Sequence, residues 1–314
     1  MKLSTLFWFY KDFETCEDRL RIMRRFNPAS AIYGLYGGPL SAVGAAEQHL
    51  MPLLDDFWAF PDDKDPNWKW RNGDLIIARW FEDRGQALGW DTLFIMQWDM
   101  LVGSPLDQLF HMLRPAQILL SGFRPIAEVS SVWWWAKGAE PETVRDLRDF
   151  ENLLASRYDY HGPLFACLFV VACLPRIFLE RYVASGPPTV GFMEYKLPTL
   201  AKVFEVPICE AHPFEPGGWN PRAGVIGLSE SARFLNAIGW EPPSSLILKE
   251  FAREDGHRLF HPVRRAIKPW MLERKHARWL WRVMRMKEIL FGIKSKLGKA
   301  YRRASRNPTA TEAQ

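Results

Sequence analysis

Cysteine is scarce in this 314-residue chain, and what little there is has no framework spacing. Cys16, Cys167, Cys173 and Cys209 form no CxxC pair and suit neither a zinc site nor a disulfide scaffold, so buried free thiols in a reducing cytosol are expected. Long apolar runs are missing too. The longest, Pro163 to Pro175, is about a third too short for a spanning helix. The opening stretch, Met1 to Tyr10, holds one lysine and lacks both the length and the small-residue cleavage site of a secretory leader. No transmembrane segment is therefore expected, and no internal repeat is found. With 48% hydrophobic and 25% charged residues, the composition is that of a globular chain able to bury its own core.

Tryptophan and proline, by contrast, are plentiful, at 15 and 23 residues. They favour loop-built surfaces lined by aromatic rings, although tryptophan also serves as plain core. Charge is divided unevenly. From Arg264 to the C-terminus stand 15 Lys and Arg against 3 Asp and Glu; the preceding 263 residues carry 26 against 33. An acidic domain thus precedes a strongly basic tail, and the overall pI near 9.0 describes neither.

Ser4 to Tyr10 reads as a buried strand, and Glu14 to Phe26 as a helix with Cys16, Leu20, Met23 and Phe26 on one face. Ala31 to Tyr36 is a second strand, closed by Gly37-Gly38-Pro39. This strand–helix–strand opening predicts a parallel sheet. A Pro- and Asp-rich loop runs from Pro61 to Gly73, and Asp74 is placed as the cap of a helix reaching about Leu88. Thr92 to Met96 is then a strand with Gln97-Trp98-Asp99 at its carboxyl end, where open α/β sheets bind ligands. Further on, Ile118 to Leu120 reads as a short strand, and Pro141 to Ser156 and Glu194 to Phe204 as helices, the latter interrupted by Pro198. Phe165 to Leu174 is strand or helix, undecided by periodicity. Ala211 to Glu230 reads as an ordered loop near a ligand. Trp270 to Arg303 is the clearest long helix, with Trp279, Leu280, Val283, Met286, Leu290, Ile293 and Leu297 at helical spacing.

Three elements carry candidate chemistry. Asp99, at a strand end, suits a hard divalent cation, although taken alone a turn or cap is the commoner role of such an aspartate. His261, in Leu259-Phe260-His261-Pro262-Val263, lies where a last strand would return to a site, though a lone histidine is more often structural. Glu194, at a helix start, is a cap or a general base.

Taken in order, the opening strand and helix, Ile32-Tyr33-Gly34-Leu35-Tyr36-Gly37-Gly38, the Asp99 motif, Glu194 and His261-Pro262-Val263 resemble a nucleotide-sugar-dependent glycosyltransferase of the GT-A fold, over roughly residues 3 to 265. The resemblance implies a GT-A-type, Rossmann-like mixed sheet flanked by helices. It also implies Mn²⁺ or Mg²⁺ held by Asp99 and His261, with Glu194 as the base of an inverting transfer; in a retaining enzyme Glu194 would instead position the acceptor. Asp99 matches the last aspartate of the family's Asp-x-Asp motif. Gln97 stands where the first would be, and can replace only its neutral hydrogen bonding. Tyr10, Lys11, Asp74, Gln97 and Trp98 would contact the donor, with Trp70 in the same segment as Asp74. Within Trp133-Trp134-Trp135, Trp134 and Trp135 are candidate acceptor contacts, although two of the three rings suit a core equally well.

The tail helix, with an apolar, tryptophan-containing stripe flanked by Lys and Arg, suits an anionic membrane surface; its bland alternative is a core-facing helix with a solvated basic face. Nucleic acid ranks below membrane, because the stripe is apolar and the remaining chain acidic. The expected organisation is a transferase domain over 1–265, a basic amphipathic membrane-association helix over 266–306 and a disordered tail over 307–314. The expected protein is cytoplasmic and peripheral at the membrane, acting on a saccharide or lipid-linked acceptor. A non-catalytic nucleotide- or glycan-binding protein is the alternative, kept open by Gln97.

Overall fold

Burial on two faces decides the central strand. In Leu3–Phe9 (β1), Leu6 and Trp8 join one hydrophobic cluster while Phe7 and Phe9 join another, so the strand carries no polar face. That pattern suits a parallel sheet covered on both sides. The computed structural model describes residues 1–131, 133, 141–210, 225–226, 234–237 and 241–286.

After β1 the chain turns at Asp12, whose carboxylate accepts the Thr15 N–H at 3.3 Å and starts helix Phe13–Phe26 (α1). Ile32–Tyr36 (β2) returns parallel to β1. Val43–Leu50 (α2) leads to Asp56–Ala59 (β3), parallel to β2. Pro66–Arg71 (α3) and Gly73–Asp83 (α4) precede Thr92–Gln97 (β4). This strand crosses to the other side of β1, again parallel, so the winding reverses between β1 and β4. Such a switch point opens a crevice at the carboxyl ends of the two strands.

Leu101–Val102 (β5), Leu106–Leu109 (α5), Leu119–Leu120 (β6), Arg124–Pro125 (β7), Pro141–Tyr158 (α6), Phe165–Ala166 (β8) and Ala172–Pro175 (β9) follow. Arg176–Ala184 (α7), Met193–Val203 (α8), Val225–Ile226 (β10), Phe234–Ala237 (β11), Ser244–Ala252 (α9) and Leu259–His261 (β12) complete the named elements. The main sheet runs β3-β2-β1-β4-β9-β6, with β9 antiparallel to both neighbours. A smaller sheet runs β10-β11-β12-β5, and β7 pairs with β8. This is the mixed, mostly parallel sheet flanked by helices that the sequence implies.

Some expectations change. The stretch 165–174 is two short strands joined by a loop, since residues 167–171 bond elsewhere than in a ladder. The expected loop before Gly73 contains α3, capped by Asp65, whose carboxylate accepts from Asn67 and Trp68 N–H. Asn72, not Asp74, occupies the cap position of α4, and the helix ends at Asp83 rather than near Leu88. Gly73 opens α4 for a steric reason: a Cβ there would lie 2.2 Å from the Trp8 ring. All four cysteines are buried and free.

The chain divides into two compact units, Met1–Pro242 with His257–Pro269, and Pro243–Gly256 with the described residues from Trp270. The division falls close to the expected boundary at 265, but α9 belongs with the tail. In that second unit, residues 274–286 are helical and Arg274 pairs with Glu254 at 3.3 Å. Ala277 and Leu272 are buried. Trp279 and Met286 are 60% and 62% exposed, so they leave the expected shared stripe with the less exposed Leu280 and Val283. Residues 287–306 of the expected helix and the tail 307–314 lie outside the described residues. Among those described, no helix is long and apolar enough to cross a membrane.

Candidate active site

Asp99 and His261 are 162 positions apart in sequence, and strand register brings them together. The chain turns after β4, with Met100 N–H donating to the Gln97 carbonyl at 2.9 Å, and enters β5. There Leu101 and Val102 pair antiparallel with Phe260 and Leu259 of β12. Continuing that register one step lays His261 beside the Asp99 turn, and Val263 N–H donates to the Asp99 carbonyl at 2.6 Å. Arg19 of α1, fully buried, donates to the Val263 and Arg265 carbonyls at 2.8 and 2.7 Å and holds the segment after β12 from behind. Lys268 pairs with the buried Asp18 at 3.0 Å to the same effect.

The Asp99 carboxylate is buried. His261 Nε2 lies 3.5 Å from Oδ1, and Arg264 Nε lies 3.7 Å from Oδ2. Burial works against its charge, but His261 and then Arg264 outweigh it, holding the carboxyl below its ordinary range. It is therefore ionised at neutral pH. Oδ1 is buried without a hydrogen-bond partner among the described residues. An ionised carboxylate with an orphaned oxygen beside an imidazole fits a hard divalent cation that draws its other ligands from outside the protein. Two side chains do not make a closed site, and among the described residues no three His, Cys, Asp or Glu cluster.

A cleft of about 460 Å³ opens beside this pair, at the carboxyl ends of β1 and β4. Its walls include Tyr10, Trp70, Gln97, Trp98, Glu194 and His261, all singled out by sequence. Tyr10 is exposed and meets Trp98 edge-on at 5.8 Å. Lys11 Nζ lies over both rings, 5.0 Å from Trp98 and 5.3 Å from Tyr10. Trp70, 52% exposed, leans on Phe192 at 5.3 Å.

Glu194 sits in the first turn of α8 and reaches into the cleft wall without capping its helix. Its Oε1 accepts the Phe169 N–H at 2.9 Å, and its backbone carbonyl accepts the Cys167 N–H at 2.8 Å. Burial pushes its carboxyl up to about 8, with the Phe169 bond opposing that rise. A group of that pKa can take and return a proton near neutral pH. Gln97 also turns to the same loop, its amide donating to the Phe169 carbonyl at 2.8 Å.

Asp74 is a correction. It is fully buried, ion-paired with the equally buried Lys196 at 2.8 Å and hydrogen-bonded to the Tyr182 hydroxyl. Its carboxylate joins α4 to α7 and α8 and takes no part in the cleft. Trp133 is core, packed near Phe192 and Tyr195. Trp134, Trp135 and most of the expected loop 211–230 lie outside the described residues. Sequence reading missed Lys69, a buried cation in the cleft wall that donates to the Gly38 carbonyl at 3.2 Å, and Phe169. Neither carries a spacing signal. Gly38 does: a Cβ there would meet the Tyr36 hydroxyl at 2.2 Å and the Tyr10 carbonyl at 2.6 Å, so the Gly37-Gly38 turn is sterically required where the cleft begins.

No protein-family model matches the sequence, and no curated protein matches it. Among solved structures, the chain is similar to the WbbM bifunctional glycosyltransferase in its apo form, at 11% identity and a TM-score of 0.37, over 64% of this chain and 37% of that one. It is also similar to mouse xyloside xylosyltransferase 1, apo form, at 13% identity and a TM-score of 0.30, over 65% and 77% of the two chains. The chain thus spans little more than a third of the length of the first. Likenesses of this degree leave the chemistry to be read from the cleft itself.

Proposed function

We propose that the chain is a glycosyltransferase that moves a sugar from a nucleotide-sugar donor to a saccharide or lipid-linked acceptor. The observation that carries this reading is that one cleft is lined both by His261, which is paired with the buried Asp99 behind it, and by Glu194, whose carboxyl is pushed up to about 8. Asp99 and His261 would hold Mn²⁺ or Mg²⁺. When bound, the cation would neutralise charge developing on the departing diphosphate. Tyr10, exposed at the carboxyl end of β1, would offer its ring to the donor, with the buried Trp98 backing it at the end of β4. Glu194, once ionised, would take the proton of the acceptor hydroxyl as it attacks the anomeric carbon in a single inverting displacement.

The test is nucleotide release and sugar transfer across UDP-, GDP- and dTDP-sugars, with Mn²⁺ or with EDTA. Release of one nucleoside diphosphate is expected, dependent on the cation and lowered at least ~100-fold by Asp99→Ala. Activity that survives both EDTA and Asp99→Ala would overturn the cation's role. Silence across all donors, in folded protein given membranes as acceptor, would favour a non-catalytic binder. Inversion at the anomeric carbon supports Glu194 as base; retention reassigns it to positioning the acceptor.

Work at a membrane surface is part of the same reading. On helix 274–286, the exposed Trp279 and Met286 share a face with Lys275, Arg278, Arg282 and Arg285. An exposed indole and thioether among cations suit the headgroup layer of an anionic bilayer.

A further inference from the structure

Residues 167–171, between β8 and β9, form a shelf along one wall of the cleft, and its backbone is anchored almost group by group. Cys167 N–H donates to the Glu194 carbonyl, and Leu168 N–H donates to the Ser121 carbonyl at 2.7 Å. The Ser121 hydroxyl donates to the Leu168 carbonyl and accepts from Val171 N–H at 3.2 Å. Ser121 N–H donates to the Val171 carbonyl at 2.9 Å. At the centre of the shelf, Phe169 is gripped from both sides, its N–H by the Glu194 carboxyl and its carbonyl by the Gln97 amide.

We propose that Gln97 is a positioning residue for Glu194: by holding the Phe169 carbonyl, it keeps the Phe169 N–H aimed at the Glu194 carboxylate. The inference rests on the reading of Glu194 as the base. It also explains the residue type at 97. An aspartate is shorter and, when ionised, only accepts hydrogen bonds, so it could not hold a carbonyl. A glutamine at the end of β4 does so, and the hydrogen bond passed through Phe169 favours the ionised form of Glu194 that a base needs.

Other charges around Glu194 do not depend on Gln97. Asp63, Lys64, Lys69 and His261 share the cleft wall. Cys167, beside it on the shelf, has its thiol held well above the ordinary range by burial and by Glu194. On α8 itself, Tyr195 and Lys196 turn to Asp146 and Asp74. Replacing Gln97 by methionine leaves all of these in place and removes one donor.

The experiment is carboxyl titration by NMR of protein labelled with ¹³C at glutamate, with Glu194→Gln identifying the resonance, together with hydrogen exchange at the Phe169 amide. In Gln97→Met, the Glu194 titration is expected to move up by about one pH unit, and Phe169 exchange to quicken at least ~10-fold. Gln97→Asn, with the same chemistry but too short a reach, is expected to do the same and serves if the methionine variant folds poorly. A Glu194 titration unchanged in either folded variant overturns the proposal. So does a rise in donor KM with that titration unmoved, which would make Gln97 a donor contact instead. If wild-type protein transfers no sugar but the titration still moves, the positioning role stands and the transferase reading falls.

Discussion

Under the proposed reading, Glu194 carries both a function and its energetic cost. Its carboxyl, pushed up to about 8 by burial, holds a proton in the folded protein at pH values where the unfolded chain has lost it. The folded state therefore binds more protons than the unfolded one between about 4.5 and 8, and stability falls as pH rises through that window. Glu194→Gln removes the titration but keeps an oxygen for the Phe169 N–H. It is expected to leave stability at pH 5 nearly unchanged and to raise it at pH 8.5 by roughly 2–4 kcal/mol, read by urea unfolding at both pH values. The same variant should abolish transfer, while wild-type activity should climb with an acid limb near 8. Sequence alone offered Glu194 as a cap or a base. The capping role fails because the side chain points to Phe169, across the loop, rather than to its own helix.

Among elements, the placement of α8 is what sets Glu194 in the cleft, and a buried ion pair holds it. Lys196, two residues along, pairs with Asp74 of α4 and donates to the Pro188 carbonyl at 2.9 Å. Lys196→Met would strand the Asp74 carboxylate in the core with the Tyr182 hydroxyl alone. A loss of ~3–5 kcal/mol in chemical denaturation is expected, and transfer should fall as the start of α8 shifts. An effect within experimental error would mean that packing alone seats the helix. The element pattern itself was largely legible. β1, α1, β2, β4, α6 and α8 are each found close to their predicted limits, because period and caps are local. Asp74 departs from its local pattern for a related reason: a carboxylate at a helix start suits a cap locally, and only the approach of Lys196 and Tyr182 from α8 and α7 makes it core. The strand β3 and helices α2, α7 and α9 were passed over; Asp56–Ala59 and Ser244–Ala252 are too short to show a period above their surroundings.

At the scale of the whole molecule, uneven charge and one exposed helical face lead to a prediction about membranes. Vesicles containing phosphatidylserine should float with the full chain at low salt and release it at high salt, whereas phosphatidylcholine vesicles should bind little. At roughly 1 kcal/mol per basic residue, replacing Arg278, Arg282 and Arg285 by glutamine should weaken binding on the order of 100-fold, with donor hydrolysis in solution intact. Binding unaffected by salt and by these changes would remove the electrostatic attachment. The basic tail and the parallel opening of the sheet were determined by sequence alone, since both follow from composition and from periods of two and 3.6 residues. The cleft was decided by tertiary structure. The antiparallel register of β5 and β12 sets His261 against Asp99, burial between α8 and the shelf raises Glu194, and Phe169 links Glu194 to Gln97. A side chain's charge state and partners depend on what long-range packing places around it, and a linear pattern of residue types carries no record of that.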